Sequence, residues 1–144
     1  MEEISRPFTA DHRHCDATFV AIEQAVTQSD WEQAEIKIAE FISEMEHHFR
    51  VEEDELFPAL EQAAVAAAGP IQVMRMEHEQ MRYLFKDLQN CMQQQSVREC
   101  LGVTETLLVT MQQHNMKEEN ILYPMADRTL AAEGDRLTQS LHRR

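Results

Sequence analysis

Turn formers are scarce in this chain of 144 residues: three glycines and four prolines, too few for the many reversals of an all-β fold. Cysteine is scarce too. Cys15, Cys91 and Cys100 are an odd set with no CxxC pair, which offers no disulfide framework. No apolar run reaches the roughly 18 residues that a membrane span needs, and the opening MEEISRPF has none of the pattern of a secretory leader. The expectation from these absences is a cytoplasmic protein with no membrane partner and with reduced thiols. Basic residues are outnumbered, 13 Lys and Arg against 26 Asp and Glu, for a formal net charge of −13. Nothing forms a basic stripe, so no nucleic-acid partner is expected. The one basic cluster, His142-Arg143-Arg144, reads as a solvated tail.

What the chain does have is helix formers. Ala, Glu, Gln, Met and Leu dominate, and 43% hydrophobic with 27% charged residues is ordinary for a globular protein. The reading is all-α, with residues 1–144 a single domain. Residues 1–8 read as an arm, and Thr9 as the N-cap of a first helix running to about Thr27, with Asp11 in its acidic first turn. Ser29-Asp30 is the turn and the next N-cap, and a second helix runs from Trp31 until Pro58 kinks or ends it. The Ala-rich stretch 59–68 suits a short extra helix, and Gly69-Pro70 breaks the chain between halves. A third helix opens at Pro70, and a capping box at Ser96–Glu99 starts a fourth that reaches Pro124. Residues 125–142 hold a C-terminal helix or two, punctuated by Gly134.

One stretch is written twice. Residues 48–58 and 114–124 share His-x-x-x-Glu-Glu-x-x-Leu-(Phe/Tyr)-Pro at a spacing of 66. The same spacing aligns Asp11-His12 with Glu77-His78, and it pairs Phe19 with Phe85, Met45 with Met111, Leu56 with Leu122 and Phe57 with Tyr123. The internal repeat spans 8–64 and 74–130. Positions i and i+4 share a helix face, so His48/Glu52 and His114/Glu118 each present a nitrogen and an oxygen in the same direction. Neither helical hairpin can bury its ligand-bearing stripe alone. Packing two face to face gives an up-down four-helix bundle with the ligands converging at its centre.

The candidate metal ligands are therefore His12, His48, Glu52, His78, His114 and Glu118. Six are too many for one tetrahedral zinc, and imidazole with carboxylate suits iron, manganese or zinc. Two ions sharing the six is the natural solution. Glu52 and Glu118 would bridge the pair, two His would serve each ion, and an oxide or hydroxide bridge would complete about five donors each. One coordination position per ion then stays open to a small molecule.

The pattern His12, His48-x-x-x-Glu52, His78, His114-x-x-x-Glu118, with both Glu-Glu-x-x-Leu-(Phe/Tyr)-Pro flanks, resembles the hemerythrin-like HHE cation-binding domain over nearly the whole chain. That resemblance implies a non-haem di-iron centre. The four-His, two-Glu set is similar to the iron-centre repair proteins and the F-box iron sensor domain of that group. Its oxygen carriers have a further His where this chain has Arg82. The expected role is binding of oxygen, nitric oxide or peroxide, in sensing, stress response or iron handling. Two other readings stand beside it. One is an iron-responsive module, read by a protein partner, whose fold the metal completes; the other is a di-iron oxidase or peroxidase, for which no substrate pocket is legible.

Other polar residues have blander readings. His14, His47 and His142 lack repeat partners and read as surface residues. Glu44-x-x-His47 matches half of a ferritin-type motif, but Thr110-x-x-Gln113 does not repeat it. Glu53 and Glu119 read as outer or solvated acids. Cys15 and Asp16 sit where either could face the site, with Asp16 a candidate partner for Arg82. Met45, Met74, Met81 and Met111 read as core.

Overall fold

The computed structural model describes residues 2–143; Met1 and Arg144 lie outside the described residues. Four long helices account for most of the chain: α1 (Ser5–Thr27), α2 (Trp31–Val51), α4 (Ala68–Gln93) and α5 (Val97–Lys117). Helix α1 packs against α2 and α5, and α4 packs against the same two, which closes a ring of four. Three short helices, α3 (Phe57–Ala63), α6 (Tyr123–Thr129) and α7 (Gly134–His142), cover one end. No strand occurs among the described residues.

Two apolar clusters fill the ring. One, towards the loops at residues 28–30 and 94–96, is built on Phe19, Ile22, Phe41, Phe49, Phe85, Leu88, Leu107 and Met111. The other is built on Ile4, Phe8, Leu56, Phe57, Leu60, Met74, Leu122 and Tyr123, and α7 joins it through Leu137 and Leu141. His47 fastens α7 by donating from Nε2 to the Ser140 carbonyl at 2.9 Å, so it is half-buried and structural rather than a free surface residue. The four methionines read as core are all buried.

The loops follow their local chemistry. Asp30 caps α2 by accepting from the Gln33 amide at 3.2 Å, and Ser96 caps α5 by accepting from the Glu99 amide at the same distance. Each preceding residue turns left-handed, Ser29 at φ 55° and Gln95 at φ 54°. Backbone bonds from Asp30 to Ala25 and from Ser96 to Cys91 close both turns as Schellman motifs.

Several sequence expectations are corrected. The described part of the expected 1–8 arm, residues 2–8, is no arm: α1 starts at Ser5, and Ile4 and Phe8 are fully buried. Thr9 does not cap it. Asp127 of α6 does, accepting from the Ile4 and Ser5 amides at 2.9 and 3.0 Å. Asp11 accordingly lies beyond the first turn. The break between halves is not Gly69-Pro70, which sit in the first turn of α4, where a missing amide hydrogen costs nothing; the chain instead turns at Ala64, φ −144° and ψ 109°. Nor does Pro58 stop the helix. Residues Glu52–Leu56 widen into a π turn, closed by the Phe57 amide on the Glu52 carbonyl. The Glu53 carbonyl five residues before the proline accepts from Arg75 Nη2 instead, at 3.2 Å. Glu118–Leu122 form a second π turn ahead of Pro124, closed from Tyr123 to Glu118.

Candidate metal centre

Between the two apolar clusters lies a polar layer. Helix α1 brings His12, α2 His48, α4 His78 and α5 His114, while the two π turns bring Glu52 and Glu118; all six are at most 5% exposed. The structure thus places every sequence candidate in one cluster. The donor atoms form two overlapping groups, His12, His48, Glu52, Glu118 and Glu52, His78, His114, Glu118, each within 4.8 Å of one another. Both carboxylates belong to both groups. Glu52 turns Oε2 to His48 at 3.2 Å and Oε1 to His78 at 3.1 Å. Glu118 turns Oε1 to His12 at 3.1 Å and Oε2 to His114 at 3.2 Å.

Each imidazole is aimed by its other nitrogen. His12 Nδ1 meets Glu119 at 2.7 Å, His48 Nδ1 meets Asp11 at 2.7 Å, His78 Nδ1 meets Glu53 at 2.6 Å and His114 Nδ1 meets Glu77 at 2.9 Å. An outer carboxylate on Nδ1 holds each ring so that Nε2 faces inward, where it offers a lone pair once its proton is lost. Asp11 and Glu77 therefore do what the sequence reading did not assign to them; their repeat-matched places beside His12 and His78 were the available signal. Arg82 then grips Glu53 with Nη1 and Nη2 at 3.0 and 3.1 Å and reaches Glu46 and Glu79 as well. That occupies it away from Asp16, which is 44% exposed beside Arg13, so the Asp16–Arg82 pair is not formed. Cys15 faces the apolar cluster rather than the site, where burial pushes its thiol up to about 12. His14 lies on the surface against Glu44, which leaves the Glu44-x-x-His47 pattern no role in the centre.

Aromatic walls keep water out. His78 stacks on Phe49 with ring centroids 3.9 Å apart and on Phe57 at 5.9 Å, and Phe8 meets His48 edge-on at 5.8 Å. Inside this apolar shell the charges lean on each other. Burial alone would lower the His114 pKa, but the Glu118 charge 3.2 Å away and the hydrogen bond to Glu77 hold it up at about 9. His48 and His78 are raised against burial in the same way by the central glutamates, His78 well above its ordinary value. Burial and the Glu118 charge would raise Glu52, yet His48 and His78 bring it down; Glu118 is driven well below the usual carboxylate range by His114, His12 and His78. Burial opposes ionisation of Glu53 too, and the hydrogen bonds from His78 and Arg82 still bring it to about 2.

Sequence reasoning missed Tyr123. On an α-helix two residues five apart lie about 140° apart around the axis, which turns residue 123 away from Glu118. In a π turn the i and i+5 positions are bonded to each other and lie much closer around the axis, so Tyr123 and Phe57 come to face the centre. Pro124, one residue further on, was the trace of this in the sequence. The Tyr123 hydroxyl lies 2.5 Å from Glu52 Oε2, 3.0 Å from Glu118 Oε1, 3.1 Å from His12 Nε2 and 3.2 Å from His48 Nε2. Burial and the two glutamate charges push this phenol well above its ordinary pKa.

Whether the set fits metal ions can be read from the atoms left over. Glu52 Oε1, His78 Nε2, His114 Nε2 and Glu118 Oε2 are buried and make no hydrogen bond. They belong to the residues of the second donor group, whose ligand atoms lie within 4.8 Å of one another, and contacts of 3.1 and 3.2 Å between imidazole and carboxylate join them in pairs. A cation placed there would satisfy all four at once, and the oxygen and imidazole donors match iron, manganese or zinc. The fold and the site together define a class, helical bundles that present His and Glu from facing helices to metal ions in their core. The hemerythrin HHE cation-binding domain model matches residues 4–126, and the chain belongs to that family. No curated protein and no solved structure matches it.

Proposed function

We propose that this chain is a single domain of two repeated helical hairpins, 8–64 and 74–130, in up-down order, holding two iron ions. His12 and His48 serve one ion, His78 and His114 the other, with Glu52 and Glu118 bridging and an oxide or hydroxide completing the bridge. Binding of oxygen, nitric oxide or peroxide is the chemistry such a pair supplies, and the role is sensing, stress response or iron handling in the cytoplasm. The observation that carries this reading is the pair of overlapping buried His and Glu groups, each with its ligand atoms within 4.8 Å of one another, in which four of the donor atoms make no hydrogen bond. The chain's own residues do the rest. The outer acids Asp11, Glu53, Glu77 and Glu119 hold the imidazoles in line, the bridging glutamates set the spacing, and Phe8, Phe49 and Phe57 exclude water.

The test is to purify the protein without added metal, count metals per chain, and record its visible spectrum before and after oxygen and nitric oxide. Two irons with a spectrum that responds to either gas support the reading. Zinc alone, or fewer than two metals, defeats it. A second reading, an iron-responsive module read by a partner, is favoured by the position of the ionised layer between two apolar clusters. Losing the metal there leaves charges facing each other in the core, which links metal to folding. Two irons indifferent to both gases, with unfolding and loss of partner capture on chelation, would favour it.

A further inference from the structure

The two donor groups are not equivalent. The repeat places Phe57 beside one and Tyr123 beside the other, and only Tyr123 carries an oxygen. Its Oη lies 2.5–3.2 Å from one donor atom each of His12, His48, Glu52 and Glu118. Two donors at right angles on an ion with bonds of about 2.1 Å are about 3.0 Å apart. The phenol oxygen therefore sits at neighbouring-donor distance from all four at once. The other group, facing Phe57, has no such fifth atom, and its four donors are the ones left without a hydrogen bond.

We infer that Tyr123 is a fifth protein donor to the ion held by His12 and His48, binding through Oη as a phenolate. The inference rests on the two-ion reading above and adds a residue and an asymmetry to it. The proton that Oη gives to Glu52 Oε2 in the metal-free chain passes to water when the ion binds. The phenyl ring of Phe57 offers no equivalent atom, so the open coordination position lies on the His78–His114 side.

The chain contains only one other tyrosine, Tyr83, 69% exposed, so a phenolate signal can be assigned. The protein is loaded anaerobically with ferrous iron, each ion gives one electron to ferricyanide, and iron is counted. Visible absorption and resonance Raman spectra then follow for wild type, Tyr123→Phe and Tyr83→Phe. Expected are two irons per chain in wild type and Tyr83→Phe, with a phenolate-to-ferric charge-transfer band and phenolate ring vibrations in both, and neither feature per iron bound in Tyr123→Phe. If Tyr123→Phe fails to fold, ring-deuterated tyrosine in Tyr83→Phe, where Tyr123 is the sole tyrosine, must shift those vibrations. Two irons with no phenolate vibrations, or vibrations that survive Tyr123→Phe, would overturn the inference and leave the two-ion reading standing. Fewer than two irons in wild type would overturn both.

Discussion

Raising the pH from 6.5 to 9 should weaken the metal-free chain and tighten its hold on metal at the same time. His114 keeps its proton to about 9 in the folded chain against an ordinary value of 6.5. A pKa raised on folding adds stability that is fully present below 6.5 and is lost as the pH climbs through 9. At 2% exposure this group is little screened, and the difference is worth on the order of 3 kcal/mol. His48 and His78 are raised as well and act in the same direction. Glu52 and Glu118 are lowered, so their contribution is present above the usual carboxylate range and lost in acid. The metal-free protein is therefore most stable at about pH 5–6.5. Metal binding has the opposite slope, because a coordinating imidazole must first give up its proton. His114 gives up its proton when the ion binds, so apparent affinity climbs by about 10-fold per pH unit towards 9, and the raised His78 acts in the same direction. Thermal melts of the chelated protein across this interval, and zinc titrations against a competing chelator, measure the two arms. Zinc affinity independent of pH, or a metal-free protein more stable at pH 9 than at 6.5, would refute the reasoning.

Glu53→Gln should weaken metal binding on the order of 10–100-fold, the usual cost of losing a carboxylate that orients a ligand, while Asp16→Asn leaves it unchanged; chelator competition reads both, and equal effects would remove Glu53 from the support of His78. Gln95→Gly should raise stability by roughly 1 kcal/mol, because φ is 54° there and L-residues pay for the left-handed region; a melting point lower than wild type would count against the turn geometry. Gly134→Ala should cost about 1–3 kcal/mol through overpacking, since its Cβ would lie 2.6 Å from Glu3 Cβ and 3.3 Å from the Glu3 carbonyl oxygen. Gly102→Ala, with nothing within 4 Å of the new methyl, should instead stabilise α5 by roughly 1 kcal/mol, and urea unfolding of both variants checks the opposite signs.

The six inward donors were legible because helical spacing and the repeat act locally: His48 and Glu52 are four apart, and the second copy says the same at His114 and Glu118. The helical fold class was legible for the same reason, as were the caps at Asp30 and Ser96, whose side chains reach only three residues along their own helix. What needed the tertiary structure is what crosses between distant segments. Asp11 and Glu77 aim His48 and His114 from other helices, 37 residues away in each case, and Asp127 caps α1 from 123 residues away. The widening of the helix at Glu52–Leu56 and Glu118–Leu122 escaped a uniform 3.6-residue period altogether. Each wider turn is followed by a proline, Pro58 or Pro124, which removes one amide hydrogen from the helical ladder. The widening, invisible in any pattern of apolar residues, turns Tyr123 into the core of the site.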